Sequence, residues 1–154
     1  MPRTADETRR LRPDDLDAVT RIDRGLTGAS RRGYFQKRLA AARRDPPRHL
    51  QFGIDSEDGL VGYVLARVLA GEYGRDEESV LLEAIGVAPG QAGRGLGTQL
   101  LSALEGEMRR RGIAVLETSI EWRDHVLVRF FARHGFSKAP RHVLACPVAQ
   151  ADVL

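Results

Sequence analysis

The apolar positions of the chain change period several times, and each change marks an expected element. Residues 8–12 alternate as a short strand, after which Pro13, Asp14 and Asp15 open a helix running to about residue 24. Small residues at 25–29 break that helix. A second helix covers about residues 30–44, and Asp45, Pro46 and Pro47 stop it. Residues 50–54 and 60–68 alternate around the polar turn at 55–59, which predicts a hairpin, and residues 80–87 predict a further long strand. Leu96, Leu100, Leu101, Leu104 and Met108 recur at helical spacing, so an amphipathic helix comes next. A strand over 113–120, a helix over about 124–133, and strands near Phe136 and over 143–148 complete the order. The sum is an α/β fold in the broad sense, an α+β mixed sheet flanked by helices, with ligands expected at the carboxyl end of a strand.

Composition narrows the class. The 154 residues suit one domain spanning 1–154, and 42% hydrophobic with 29% charged residues excludes disorder as the main state. The longest apolar runs are only a few residues and the first seven residues hold no apolar core, so neither a membrane span nor secretion is expected and the cytoplasm is the expected location. Cys146 is the single cysteine, and no Cys/His cluster has zinc spacing, so neither a disulfide nor a metal is expected. Of the 24 basic side chains only Lys37 and Lys138 are lysine, and arginine forks suit phosphate. Those arginines are scattered among 21 acidic residues, and the densest run, Arg109, Arg110 and Arg111, ends a helix whose dipole it complements. A nucleic-acid partner is therefore not expected.

The segment Val87-Ala88-Pro89-Gly90-Gln91-Ala92-Gly93-Arg94-Gly95-Leu96-Gly97 concentrates the chemistry. Alternate glycines let the backbone curl and turn its N–H groups toward an anion, and the helix that follows adds the positive end of its dipole. A P-loop needs Lys and then Ser or Thr after its last glycine, but Leu96 follows Gly95. A dinucleotide fingerprint needs a third glycine where Thr98 stands. Nucleotide hydrolysis and dinucleotide binding are both disfavoured.

This segment resembles the acyl-CoA signature of the GNAT superfamily of N-acetyltransferases, a strand ending in Val-x-Pro, then Gln/Arg-x-x-Gly-x-Gly/Ala, then a helix. Ala92 stands at the first signature position, where it removes a side chain but no backbone donor. A second segment, from Asp124 to Phe136, resembles the family's helix that opens with Asn and ends in an aromatic residue and a Gly-Phe pair; Asp124 replaces the Asn, and Phe131 stands where many members carry a tyrosine acid. The resemblance implies a GNAT-like acyl-CoA N-acyltransferase fold. It also implies acetyl-CoA as acyl donor, held by Ala92, Gly93, Arg94, Gly95, Leu96, Gly97 and Thr98 with contributions from Asp124 and Phe131. The implied reaction is direct attack of a primary amine, from a small molecule, peptide or protein, on acetyl-CoA in a ternary complex.

A free alkyl amine titrates near pKa 10.4, so a base must take its proton. Glu83 is the candidate, since simple alternation puts it on one strand face with Leu81, Ile85 and Val87; Glu117 and Glu121 stand in reserve. The competing reading of Glu83 is a carboxylate that simply meets solvent or pairs with an arginine. In the family the main chain before Val-x-Pro receives the acetyl carbonyl, which here means Ile85, Gly86 and Val87. Phe131 has no proton to give the departing thiolate, so His125, His134, Tyr63 and Tyr73 are alternative acids, while Asp124 has a plain reading as a helix cap. Relatives bind the acceptor near positions matching residues 25–35 and 71–79. The alternative function is a non-catalytic acyl-CoA-binding or sensing domain, and homodimer formation is left open.

Overall fold

Alternating apolar residues in residues 49–87 build the centre of a mixed sheet. The structure, a computed structural model, describes residues 7–150 and forms two compact units that divide between Ser119 and Ile120. In the first unit the strands β1 (Thr8–Arg10), β2 (His49–Ser56), β3 (Gly59–Ala70), β4 (Glu78–Val87) and β5 (Leu116–Thr118) lie side by side in that order. The first four are antiparallel neighbours, and β4 and β5 run parallel. Helices α1 (Leu16–Thr27) and α2 (Arg32–Arg44) precede the hairpin, and α3 (Leu96–Arg111) connects β4 to β5.

Directly paired residues share a sheet face, so the register sorts the core into two layers. Tyr63 and Leu65 of β3 pack with Val19 and Ile22 of α1 and Phe35 of α2. The opposite face carries Val64, Ala66 and Val68 with their β4 partners Ile85, Leu82 and Val80. Against this face α3 packs its buried stripe of Leu96, Leu100, Leu101, Leu104 and Met108, and Leu100 lies close enough to Gly62 to touch a side chain placed there.

An ion-paired fork ties the start of the chain to the sheet. Arg9 reaches both oxygens of Asp15 at 2.8 and 2.9 Å and both oxygens of Asp55 at 2.5 and 3.1 Å, and the Arg12 amide donates to Asp15 at 2.7 Å. Burial raises the Asp15 carboxyl, but the hydrogen bonds from Arg9 and Arg12 outweigh it and hold the group below its ordinary value. A carboxylate depressed in the fold adds stability above its unfolded pKa and loses it as pH falls through the folded value. Asp15→Asn is therefore expected to destabilise the protein by about 1–3 kcal/mol at neutral pH, with the difference vanishing in acid, as urea unfolding at several pH values will show.

Several boundaries differ from the sequence pattern. Residues 25–27 continue α1 instead of breaking it, and the helix ends at Gly28, whose φ is +76°. The strand expected over 113–120 contracts to β5, because Gly112 and Ile113 still close α3 through the bond from the Ile113 amide to the Met108 carbonyl. In the second unit, α4 (His125–Arg133) forms as expected, but no strand forms near Phe136 or over 143–148. Val143 and Leu144 are about nine-tenths exposed, and Pro140 and Pro147 lack donors; alternation without a neighbouring ladder does not make a strand. No helix among the described residues is long and apolar enough to cross a membrane.

Candidate active site

Strand β4 supplies the carboxylate, and it does so from a bulge. Leu65 pairs with Ala84 and Ala66 with Leu82, which leaves Glu83 as the extra residue of β4. The bulge corrects the expected parity: Leu81, opposite Arg67, stays on the α1–α2 side, while Ile85 and Val87 shift to the face covered by α3. Glu83 turns toward Arg67 of β3 and Arg38 of α2. Its Oε2 lies 3.4 Å from Arg67 Nε and 3.2 Å from Arg38 Nη1, its side chain is 5% exposed, and its Oε1 has no hydrogen-bond partner. The carboxylate is thus paired on one oxygen and buried without a hydrogen-bond partner on the other.

Beyond Leu82 the two parallel strands separate, since β5 pairs only with Val80, Leu81 and Leu82. Thr118 Oγ1 donates to the Leu82 carbonyl at 2.9 Å, and no strand among the described residues continues that ladder along residues 83–87. The Ala88 amide bonds Val61 on the β3 side, so by alternation Ile85 and Val87 direct their peptide groups away from β3. Between them, Gly86 passes against the buried Tyr63 ring. A Cβ on Gly86 would sit 2.8 Å from the Tyr63 hydroxyl and 2.9 Å from two ring carbons, so Gly86→Ala is expected to cost about 1–3 kcal/mol, measurable by thermal unfolding. Burial first, and the adjacent Asp23 carboxylate second, raise the Tyr63 phenol above its ordinary value, and the protonated hydroxyl donates to Asp23 at 3.4 Å. Asp23 also receives the Arg31 guanidinium at 2.5 and 2.9 Å.

Past Val87 the chain makes a short turn over Pro89–Gln91 and enters the glycine loop. Gly93 and Gly95 have φ of +81° and +74°, values that favour glycine, and a Cβ at either would meet nothing within 4 Å. Gly95 is the N-cap of α3 and offers no side chain to its first turn, so the amides of Leu96 and Gly97 face the open side of the loop. Within the loop the Arg94 guanidinium donates a hydrogen bond to Gln91 Oε1. A glycine turn leading into a helix N-terminus suits an anionic oxygen cluster such as a pyrophosphate. A surface recess of about 540 Å³ lies beside Thr98, Gln99, Ser102 and Ala103 with Glu7 and Thr8; its wall contains no cation and one carboxylate, which does not suit a phosphate.

The remaining expected residues have defined settings. Glu117 receives Arg75 at 2.8 Å, and Arg75 lies over the ring of the exposed Tyr73. The Arg109–Arg111 run pairs with Glu105 and Glu107. In the second unit Asp124 caps α4, accepting from the Leu127 amide at 3.1 Å, and Phe131 is buried with Phe136 at a ring separation of 4.8 Å. His134 Nδ1 lies 2.7 Å from the Phe130 carbonyl, and Glu121 accepts from the Arg123 amide at 2.9 Å. The structure bears out the competing reading that Glu83 pairs with arginine, and it identifies the partners as Arg38 and Arg67; the sequence signal for Arg67 was its place on the buried face of an otherwise apolar strand.

Known proteins share this fold. The family model for the acetyltransferase (GNAT) family matches residues 16–136. Among solved structures, the aminoglycoside N-acetyltransferase AAC(6')-Iy in complex with CoA is similar with a TM-score of 0.79 at 17% identity, over 96% of this chain and 98% of that one. The PaiA N-acetyltransferase from Thermoplasma acidophilum in complex with coenzyme A gives 0.74 at 16% identity, over 90% and 94%. A transcriptional regulator from Bacillus halodurans C-125 gives 0.76 at 15% identity, over 92% and 99%. Comparison with curated proteins gives no match.

Proposed function

The chain belongs to the acetyltransferase (GNAT) family, and from that footing we propose that it transfers the acetyl group of acetyl-CoA to a primary amine with Glu83 as the base. The observation that carries this reading is a buried carboxylate, unpaired at Oε1, four residues before the end of the strand that leads into the anion-binding loop. CoA-bound relatives of the same fold support the choice of ligand. Residues from Ala92 to Thr98 hold the pyrophosphate, with amides and a helix dipole as the attracting groups.

In the reaction the amine nitrogen forms a bond to the acetyl carbon and the thioester C–S bond breaks. The ammonium proton passes to Glu83 Oε1, directly or through water, and CoA leaves as a thiolate that takes a proton from solvent. The peptide groups of Ile85 and Val87, with Gly86 between them, are the backbone groups that receive the acetyl carbonyl and the pantetheine arm; a preorganised N–H donor stabilises the developing oxyanion. Phe131 gives no proton to the sulfur. A thiol of pKa about 8.5 departs tolerably without one, and a positioned acid would add about 10²–10⁴-fold. The test is acetyl-CoA-dependent thiol release over a panel of amines, run beside calorimetric binding of acetyl-CoA. Release above the spontaneous rate with one acceptor supports the reading, and tight binding without release from any acceptor favours a sensing domain instead.

A further inference from the structure

The α1–α2 side of the sheet is apolar at one end and polar at the other, and the polar end surrounds Glu83. His49 lies directly opposite Arg67, and Gln51 stands two residues along β2 on the same face. Four buried polar atoms here have no hydrogen-bond partner: His49 Nδ1, Gln51 Oε1, Arg67 Nε and Glu83 Oε1. Gln51 is 4% exposed overall, and its Nε2 is already committed to the Arg38 carbonyl at 3.0 Å. Orphaned buried groups each cost roughly 1–3 kcal/mol, a cost that polar ligand atoms placed beside them would relieve.

Charge says which ligand. Two guanidinium groups face the single carboxylate of Glu83, and burial, the largest influence on His49, lowers its pKa and favours the neutral ring. The neighbouring charges already form pairs, Asp45 with Arg48 and Glu117 with Arg75. One positive charge is left over. The side chains of Arg38 and Arg67 are 34% and 40% exposed, so their guanidinium groups reach from solvent to the buried carboxylate, and Arg38 is steadied against the Tyr34 ring at 5.1 Å.

We propose that the acceptor is an amine that also carries an oxyanion, a carboxylate or a phosphate, which Arg38 and Arg67 hold while the amine meets Glu83 Oε1. This rests on the acetyltransferase reading given above. The amine loses its proton to Glu83 and forms the amide as described, and the oxyanion takes no part in bond making. A polycationic acceptor meets two guanidinium groups at the same place and is disfavoured by like charge.

Matched acceptors test this. Glycine, alanine, phenylalanine and methionine are each compared with their own carboxamide, and phosphoethanolamine with ethanolamine, with spermidine as the polycation and thiol release as the readout. For at least one pair the anionic member is expected to have about 10–100-fold higher kcat/KM, carried mainly by KM, because charge-assisted forks to guanidinium are its added contact. Carboxamide amines are the more readily deprotonated, so chemical reactivity alone predicts the opposite order. Arg67→Gln and Arg38→Gln should each bring the ratio toward one, and Arg67→Lys should retain part of it, a pattern that misfolding does not produce. Release from neutral amines or spermidine with no advantage for any anionic partner overturns the inference and leaves the acetyltransferase standing. A preference that survives both glutamine variants also overturns it. No release from any acceptor, with acetyl-CoA still bound, removes the acetyltransferase reading and this inference together.

Discussion

Gly95→Glu is expected to abolish acetyl-CoA binding while the protein remains folded. Gly95 stands at φ +74° at the mouth of α3, and a Cβ there points into space free of protein atoms. A glutamate side chain would enter that space with a negative charge, where the loop amides and the helix dipole otherwise favour an anion. Both exclusion and repulsion then act on a pyrophosphate, and affinity should fall by more than about 100-fold, roughly 2.7 kcal/mol or more. The backbone strain of a non-glycine residue at this φ is about 1–2 kcal/mol, a loss of stability that Gly95→Ala carries as well. Calorimetric titration of the two variants separates strain from blockage: Gly95→Ala should retain measurable binding, and equal loss in both would place the effect on the backbone instead.

Glu83→Gln is expected to lower turnover by about 10²–10⁴-fold at nearly unchanged acetyl-CoA affinity. The amide keeps the shape of the carboxylate and lies outside the glycine loop, so the donor site is untouched. What changes is the proton acceptor at Oε1, which has no protein partner. Because Arg38 and Arg67 both face Glu83 Oε2, the substitution also removes their shared counter-charge, and a drop in stability of about 1–3 kcal/mol is expected alongside. Parental turnover in the folded variant, with the parental pH profile, would exclude Glu83 as base and shift the search to Glu117, Glu121 or solvent.

Local signals read well where the chain makes its own structure. The leucine spacing from Leu96 to Met108 anticipated α3, and the alternate glycines anticipated the turn that now shows positive φ at Gly93 and Gly95. The GNAT resemblance anticipated the family match and the fold. What period counting could not supply was the partner strand. A bulge at Glu83 depends on how β3 registers against β4, so alternation alone put Ile85 and Val87 on the wrong face. The expected strand over 143–148 failed for a related reason: its alternation is real, but no ladder lies beside it. The arginines on Glu83 come from α2 and β3, distant in sequence, and only the fold brings them to one carboxylate.

Whether this chain joins an acetyl group to an amine is read from mass spectrometry of the products formed from isotopically labelled acetyl-CoA and the amine panel. The expected product is an N-acetylated amine carrying the label, in an amount equal to the CoA thiol released, and it should be lost in Glu83→Gln at unchanged acetyl-CoA binding. Labelled acetate alone, at the spontaneous rate of hydrolysis and with no acetylated amine from any acceptor, would contradict the acetyltransferase reading.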